Sequence, residues 1–390
     1  MVRAVVSRNA GFGLVAYAFL VTMIGTTLPT PLYPLFEQRY SFGELTVTVV
    51  FAVYAFGVIA GLLAFGNVSD EIGRKPVLLL GLVFAAISAL LFLVAGSLVP
   101  IYAGRVVSGL SAGIFTGTAT AALVDLAPGG RRRLASFVAV IVNLGGLGLG
   151  TLLAGLLADY ARSPLRTPFL VDLVLLVPAG IGLLLAPETV ERQTFRLRLQ
   201  RLSVPAEVRG VFVRGATAGF GSFAVAGVFS SVAPAFLALE LGRTSHALAG
   251  VLVFILFSGS ILGQLAVSRL SDRPALVSGC VLLVAGVALL GFAVGTESLG
   301  TLIASASVVG IGQGLVIGAG LAAINQRAPV ERRGETASSF FVVMYVGLSV
   351  PVIGVGVVAN ATSLKTAGIV FSAAVAALVL VVLASLARSD

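Results

Sequence analysis

Residues 66–76, GNVSDEIGRKP, separate two long apolar segments of the chain. Four charged side chains of both signs lie in this short gap. A polar gap of this length between apolar runs predicts a tight turn that joins two buried helices. Gly66 permits close approach of a helix end, Gly73 can adopt a positive φ, and Pro76 suits the first turn of the next helix.

The composition excludes an ordinary soluble protein. Hydrophobic residues make up 58% of the 390 positions and charged residues 11%, against about 25% charged residues in an average soluble domain. The apolar runs have about the 20 residues that a helix needs to cross a bilayer. The net charge of +9 falls in the loops between these runs, which indicates membrane orientation and not nucleic-acid binding. A single cysteine, Cys280, allows neither an internal disulfide nor a metal cluster, and we expect no cofactor.

The apolar runs predict an all-α integral membrane protein with twelve transmembrane helices. We place these helices at residues 11–36, 43–65, 76–96, 99–124, 134–158, 168–187, 209–238, 246–267, 274–294, 299–324, 335–359 and 364–387. The first run follows Arg3 and Arg8 and is too long for a cleaved signal peptide, so we interpret it as an uncleaved span.

The placement of lysine and arginine predicts the orientation. Twelve spans put both termini on one side, and the loops on that side carry 19 lysine and arginine residues against 5 in the opposite loops. Because cytoplasmic loops carry the excess of positive charge, we expect both termini in the cytoplasm and the protein in the cell inner (plasma) membrane.

The chain is predicted to consist of two six-helix bundles. A polar stretch at 188–208 falls near the midpoint and is interpreted as a cytoplasmic linker between an N-terminal bundle, 1–187, and a C-terminal bundle, 209–390. Residues 109–113 align with residues 310–314 at an offset of 201. Such a duplication places the expected substrate site between the halves near the middle of the membrane.

The turn at 66–76 resembles the signature loop of the major facilitator superfamily of transporters, G-x-x-x-D-x-x-G-R-K. The matching residues are Gly66, Asp70, Gly73, Arg74 and Lys75. The resemblance implies the two-bundle fold and a cytoplasmic latch of Asp70, Arg74 and Asp125, closed in the outward-open state. The alternatives are an ordinary positively charged turn and a solvated Asp125.

Two further motifs resemble those of the twelve-helix drug/proton antiporters. In the first span, Gly25, Pro31 and Pro34 match the first-helix pattern, and the prolines are expected to bend or break the helix. In the fifth span, a G-x-x-x-G-P-x-x-G-G motif is matched with Thr151 in place of proline and Ala154 in place of glycine, which weakens the assignment to export. The glycines of that motif are Gly146, Gly150 and Gly155. We assign helix packing and gating to these three and to Gly25, Pro31, Pro34, Gly109 and Gly113.

The fourth span contains an arginine inside the apolar run, and an ionisable residue there is a functional candidate. Arg105, Gly109 and Gly113 resemble the fourth-helix motif of the superfamily, in which the arginine is implicated in proton coupling. We assign proton coupling to Arg105 and Asp172. The alternatives are a structural pair of Arg105 with Asp172 or Glu37, or extension of Arg105 to the membrane interface.

A polar lining is predicted for the central cavity. By analogy with the family, it is formed by Tyr17, Thr22, Thr26, Tyr54, Ser111, Thr116, Asn143, Ser222, Ser230, Gln313, Asn325 and Tyr345. These hydroxyls and amides suit a neutral or amphipathic organic molecule better than a phosphate or a sugar acid. No acidic residue lies in the middle of a predicted span, which counts against a proton antiporter for cations. The one histidine, His246, is expected to be a solvated loop residue.

The sequence therefore predicts a secondary active transporter that exports a small lipophilic or amphipathic compound by alternating access, coupled to protons. We expect a monomer in the lipid bilayer, and no catalytic residues, because no nucleophile lies near a base. The chain lacks a phosphate-binding loop, so ATP drive is not expected. The alternatives are a metabolite or sugar exporter, an uncoupled facilitator, or a membrane sensor or scaffold that does not transport.

Overall fold

A computed structural model describes residues 6–191 and 200–388 of the protein, and these residues form helices and no β-strand. Twelve helical segments are long and apolar enough to cross a membrane, as the sequence predicts. Four of the predicted loop arginines, Arg3, Arg192, Arg196 and Arg198, lie outside the described residues.

The first half contains eight helices. They are α1 (Arg8–Thr27), α2 (Tyr33–Tyr40), α3 (Glu44–Phe65), α4 (Val68–Ile72), α5 (Arg74–Leu93), α6 (Leu98–Asp125), α7 (Arg132–Tyr160) and α8 (Thr167–Leu185). The second half contains seven. They are α9 (Arg209–Ser231), α10 (Ala233–Leu239), α11 (His246–Val267), α12 (Asp272–Thr296), α13 (Leu299–Arg327), α14 (Arg333–Ala361) and α15 (Leu364–Ala387).

Two of the predicted spans are broken helices. The first breaks between α1 and α2 at a short 3₁₀ turn, Thr30–Leu32, as its prolines predict. The seventh was expected to be continuous over 209–238, but it breaks between Ser231 and Ala233. Pro234, at the start of α10, has no N–H to continue the hydrogen-bond ladder. The polar turn at 66–76 also differs from expectation, because it contains the short helix α4.

The loops that carry Arg74, Arg131 and Arg332 meet at one end of the bundle, which we call the basic end. The Arg74 side chain reaches Asp125 at the end of α6. Arg133, in the first turn of α7, donates to the Ser268 carbonyl at the end of α11, 3.5 Å away. The other end, which we call the opposite end, carries the α7–α8 and α10–α11 connections.

Glycines bring pairs of helices into backbone contact. A Cβ atom on Gly113 of α6 would lie 2.5 Å from the Val58 carbonyl oxygen of α3, and one on Gly61 would lie 2.7 Å from the Leu110 carbonyl oxygen. Small residues let helix backbones approach in a membrane, where lipid is as apolar as the side chains. The α3–α6 pair is thereby closely packed.

The second half repeats this contact. Gly310 and Gly314 of α13, 201 positions after Gly109 and Gly113, face the backbone of α11 at Leu256 and Ser260. The repeat in the sequence is therefore a repeat of packing. The α3–α6 and α11–α13 pairs are therefore corresponding, closely packed elements of the two halves.

We expect Gly113→Ala to destabilise the protein by about 1–3 kcal/mol, because the added methyl group forces α3 and α6 apart. The measurement is thermal unfolding in detergent, followed by the reaction of a fluorogenic maleimide with the buried thiol of Cys280. Gly117→Ala is the matched control, because it lies one turn further along α6 and its Cβ would meet no atom within 4 Å. Equal melting temperatures for the two variants would contradict the packing argument.

Candidate functional site

A cavity of about 590 Å³ lies between the two halves. Helices α1, α3, α6 and α7 line it from one side, and α9, α11, α13 and α14 line it from the other. At the basic end its wall includes Gly66, Asp70, Arg74 and Gly334. The cavity therefore reaches from the middle of the bundle to the basic end.

Most of the predicted lining residues lie on this cavity. They are Thr26, Tyr54, Thr116, Asn143, Ser230, Gln313, Asn325 and Tyr345. The other four do not line it, and their hydroxyls bond within or between helices. Ser111 donates to the Gly81 carbonyl of α5 over 2.7 Å, and Tyr17 donates to the Leu175 carbonyl of α8 over 3.2 Å. Thr22 and Ser222 donate to carbonyls of their own helices.

Aromatic rings form a part of the lining that the sequence analysis missed. They are Phe51, Phe223, Phe257 and Phe341. Phe223 meets the ring of Tyr345 edge-on, with the ring centroids 5.6 Å apart. In an apolar span, a phenylalanine that faces a cavity and one that faces lipid have similar neighbours in the sequence. Only the packing of the two halves shows that these rings line the cavity.

Arg105 lies near the closed end of the cavity and is 1% exposed. Its Nη1 donates to the Thr26 carbonyl over 2.9 Å, and its guanidinium carbon lies 4.6 Å from the Tyr54 ring centroid. Its Nε has no hydrogen-bond partner. Among the residues that the structure describes, no carboxylate lies within 4.0 Å of the guanidinium. The alternative of a structural pair with Asp172 or Glu37 is therefore not seen.

Asp172, on α8, is also buried and is 2% exposed. Its carboxyl group packs against α1 at Gly25, where a Cβ atom would lie 2.7 Å from Oδ2. Its Oδ1 has no hydrogen-bond partner. Gly25, expected to serve packing or gating, thus makes room for the carboxyl group just before α1 breaks.

An ion-pair network links the loops of the first half at the basic end. Arg74 contacts Asp70 at 2.6 Å and Asp125 at 3.2 Å, and Thr189 donates to the same Asp125 oxygen over 3.2 Å. Arg74 thus lies between the two carboxylates. The network is complete while the cavity is open at this end, whereas the sequence analysis expects it in the outward-open state.

Glu188 was not identified from the sequence as a site residue, but its carboxylate binds the N-terminus of α5. It accepts hydrogen bonds from the backbone N–H groups of Arg74 at 2.8 Å and Lys75 at 3.0 Å. Helix α5 has no side-chain cap of its own. Gly73 has φ of +106°, and a Cβ atom there would overlap the Glu188 carboxylate. The motif glycine therefore allows both the turn and the cap.

Gln200, within the linker 188–208, also contacts the signature loop. The Gln200 backbone N–H donates to the Leu63 carbonyl over 2.9 Å, and a Cβ atom on Gly66 would overlap the Gln200 side chain. The Gln200 amide nitrogen would lie 3.5 Å from a Cβ atom on Gly334 in the second half. Gln200 therefore lies at the mouth of the cavity, between the halves.

The opposite end of the cavity is closed by direct contact of the halves. The Thr151 hydroxyl of α7 donates to the Gly250 carbonyl of α11 over 3.2 Å, and the Ser349 hydroxyl of α14 donates to the Ala52 carbonyl of α3 over 3.2 Å. Gly155 admits the α11 backbone at His246. The other motif glycines of α7, Gly146 and Gly150, pack against α1. Pro31 lies in the turn after α1, and Pro34 in the first turn of α2.

Asp159, at the end of α7, caps the N-terminus of α11 across this contact. Its carboxylate accepts from the Ser245 hydroxyl at 2.7 Å and from the backbone N–H groups of His246 at 2.9 Å and Ala247 at 3.0 Å. The His246 Nδ1 lies 2.8 Å from the same carboxylate. His246 is therefore not the solvated loop residue that the sequence predicts; it belongs to a contact between the halves.

Comparison with known proteins finds drug-resistance and drug-efflux proteins among the relatives of this chain. The tetracycline resistance protein, class H, of Pasteurella multocida is 28% identical over 190 residues, which are 47% of this chain and 46% of that protein. The multidrug efflux protein YfmO of Bacillus subtilis is 28% identical over 200 residues, 51% of this chain and 46% of that protein. The chain thus spans about half the length of these curated relatives.

Solved structures show the same fold over almost the whole chain. A POT family transporter, solved in complex with a thioalcohol-conjugated peptide, superimposes with a TM-score of 0.77 at 13% sequence identity, over 97% of this chain and 95% of that one. The sequence model described as Major Facilitator Superfamily matches residues 15–352 and again 215–389. With its twelve spans, its repeated halves and the cavity between them, the chain belongs to the Major Facilitator Superfamily.

Proposed function

We propose that the protein exports a small lipophilic or amphipathic compound from the cytoplasm by alternating access, driven by proton influx. The observation that carries this proposal is the cavity of about 590 Å³ that is open at the basic end and closed at the opposite end. A site between two helical bundles, accessible from one side at a time, is the requirement for alternating access.

The chemistry of the wall supports an amphipathic substrate. Hydroxyls and amides such as Thr116, Asn143 and Asn325 share the surface with the rings of Phe223 and Phe341. Apolar walls with a few placed polar groups are typical of sites for organic molecules. The drug-resistance and efflux functions named for the relatives in Pasteurella multocida and Bacillus subtilis favour export over uptake.

Proton coupling is assigned to Asp172 together with Arg105. Asp172 is a buried carboxyl group with no cation within 4.0 Å in the described part of the chain, and such a group in a membrane span is a candidate for taking up and releasing a proton. It packs on Gly25, two residues before the end of α1. A change in the charge of Asp172 would therefore act on α1, the same helix whose Thr26 carbonyl accepts from Arg105.

The remaining assignments follow from charge and from the contacts within one chain. The excess of arginine at the basic end favours a cytoplasmic location for that end and for both termini, in the cell inner (plasma) membrane. We assign the moving bodies to residues 1–187 and 209–390, joined by the linker 188–208. Both ends of the cavity are formed within one chain, which supports a monomer as the functional unit.

Export is tested with a growth-inhibition panel of chemically varied toxic compounds in an efflux-deficient bacterial host. We expect expression of the chain to protect against at least one compound, and Asp70→Asn to reduce that protection by about two- to fivefold, because a partly exposed ion pair contributes modestly to the balance between states. Asp272→Asn, at the corresponding turn of the second half, is the control. Full membrane expression without protection against any compound would reject export of toxic compounds.

Proton coupling is tested with Asp172→Asn in liposomes, using a compound that the panel identifies. The variant keeps the size of the side chain but cannot exchange a proton, so we expect transport at one rate with and without an imposed pH gradient. Glu37→Gln, at a partly exposed glutamate of α2, is the matched control and should retain the acceleration. If the pH gradient increases the transport rate of the Asp172→Asn variant, Asp172 is not part of the coupling mechanism.

Closure of the opposite end is tested with Asp159→Ala. Loss of the cap reduces the stability of the α11 N-terminus by about 0.5–2 kcal/mol. Because the first half supplies this cap to a helix of the second half, we expect a larger fraction of molecules in which the cavity is open at the opposite end. Spin labels at Tyr160→Cys and Thr244→Cys, in a Cys280→Ala background, would report it as a longer distance by double electron–electron resonance. Glu297→Ala breaks an ion pair with Lys365 at the same end but within the second half, and it should leave the distances unchanged.

A further inference from the structure

Arg105 is a buried cation that forms no ion pair with any residue that the structure describes. The other charged side chains on the cavity wall, Asp70 and Arg74, pair with each other at the basic end. Arg105 lies 20 residues before Asp125 on α6, which is about 30 Å along the helix axis. Among the described residues, no carboxylate lies within 4.0 Å of the guanidinium or lines the deep part of the cavity. Asp172 packs on Gly25, the residue next to Thr26 on α1.

The contacts of Arg105 compensate its burial only in part. The guanidinium has one carbonyl acceptor, at Thr26, and lies over the rings of Tyr54 and Phe51 at 4.6 and 5.6 Å. Cation–π contacts contribute less than an ionic hydrogen bond does. Nε remains without an acceptor. An anionic group that enters the cavity would supply the missing acceptor, and charge-assisted hydrogen bonds to a guanidinium are strong and directional.

A second buried polar group, the Gln313 side chain of the second half, lines the cavity with its amide oxygen unpaired among the described residues. Gln313, on α13, is 2% exposed and lines the cavity, and its side-chain amide oxygen has no hydrogen-bond donor. A ligand with a hydroxyl or N–H group would satisfy it. The rings of Phe223, Phe257 and Tyr345 line the same cavity and provide apolar surface.

We propose that the substrate is an amphipathic organic anion, with an aromatic body, a carboxylate or similar anionic group that pairs with Arg105, and a hydroxyl or N–H group that donates to Gln313. Arg105 belongs to the first half and Gln313 to the second, so one molecule would contact both. This inference rests on the proposed transport function and adds the charge of the substrate, where the lining predicted from the sequence indicates a neutral or amphipathic one.

The test measures equilibrium binding to the full chain in nanodiscs, with empty nanodiscs subtracted. The probes share one shape and differ in charge: 6-hydroxy-2-naphthoate, its neutral amide, and the corresponding naphthylmethylammonium ion. We expect the anion to bind about 10- to 100-fold more tightly than the other two, the range for hydrogen bonds to a charged group. Equal affinities, tighter binding of the cation, or no binding of the anion would overturn the proposal.

Variants then locate the two contacts. Arg105→Gln should abolish the preference for the anion, Arg105→Lys should retain part of it, and Arg243→Gln, on the exposed loop before α11, should change nothing. Gln313→Leu should weaken the binding of 6-hydroxy-2-naphthoate but not the binding of 2-naphthoate, which lacks the hydroxyl group. A preference for the anion that persists in a folded Arg105→Gln variant would refute the role of Arg105, and folding is checked by the Cys280 melting curve.

Transport of the same probe in liposomes separates this inference from the proposed function. Selective binding of 6-hydroxy-2-naphthoate without its movement would support the anion site and contradict transport. Movement of cationic compounds by a protein that does not bind the anion would support transport and contradict the anion site.

Discussion

Close backbone contact between helices is the constraint on which the rest of this structure depends. In a bilayer, lipid is as apolar as leucine, so helices associate through packing and hydrogen bonds and not through escape from water. Gly113 of α6 and Gly314 of α13 occupy corresponding positions and bring α3 and α11 against their partners. These pairs are closely packed within each half, and the cavity lies between the halves.

Carboxylates from other parts of the chain bind the N-termini of two helices. Glu188, after α8, binds the first N–H groups of α5, and Asp159, at the end of α7, binds those of α11. A helix N-terminus carries partial positive charge and unsatisfied N–H groups, so one carboxylate meets both needs. The first cap acts within a half and the second acts across the halves. Glu188 therefore holds the end of the signature loop in place, and Asp159 contributes to the contact between the halves at the opposite end.

Arg105 and Asp172 are buried charged side chains that have no ion-pair partner among the residues that the structure describes. Both contact α1 within two adjacent residues, Arg105 at Thr26 and Asp172 at Gly25, directly before the break in that helix. A ligand that neutralises one charge and a proton that changes the other would therefore act on the same short segment. This proximity gives the proposed exchange of substrate and proton a common structural element.

The sequence by itself determined the twelve spans, the break after α1 and the repeat of the halves, because apolar length, proline and glycine spacing act locally or at a fixed period. It also identified Asp70, Arg74, Asp125 and Arg105 as candidate functional residues, because a charged residue next to or within an apolar run is visible in the sequence. Only the tertiary structure decided the caps by Glu188 and Asp159, the aromatic wall and the unpaired state of Arg105. These depend on which atoms meet across helices far apart in sequence, and the sequence around one residue does not specify its distant partner.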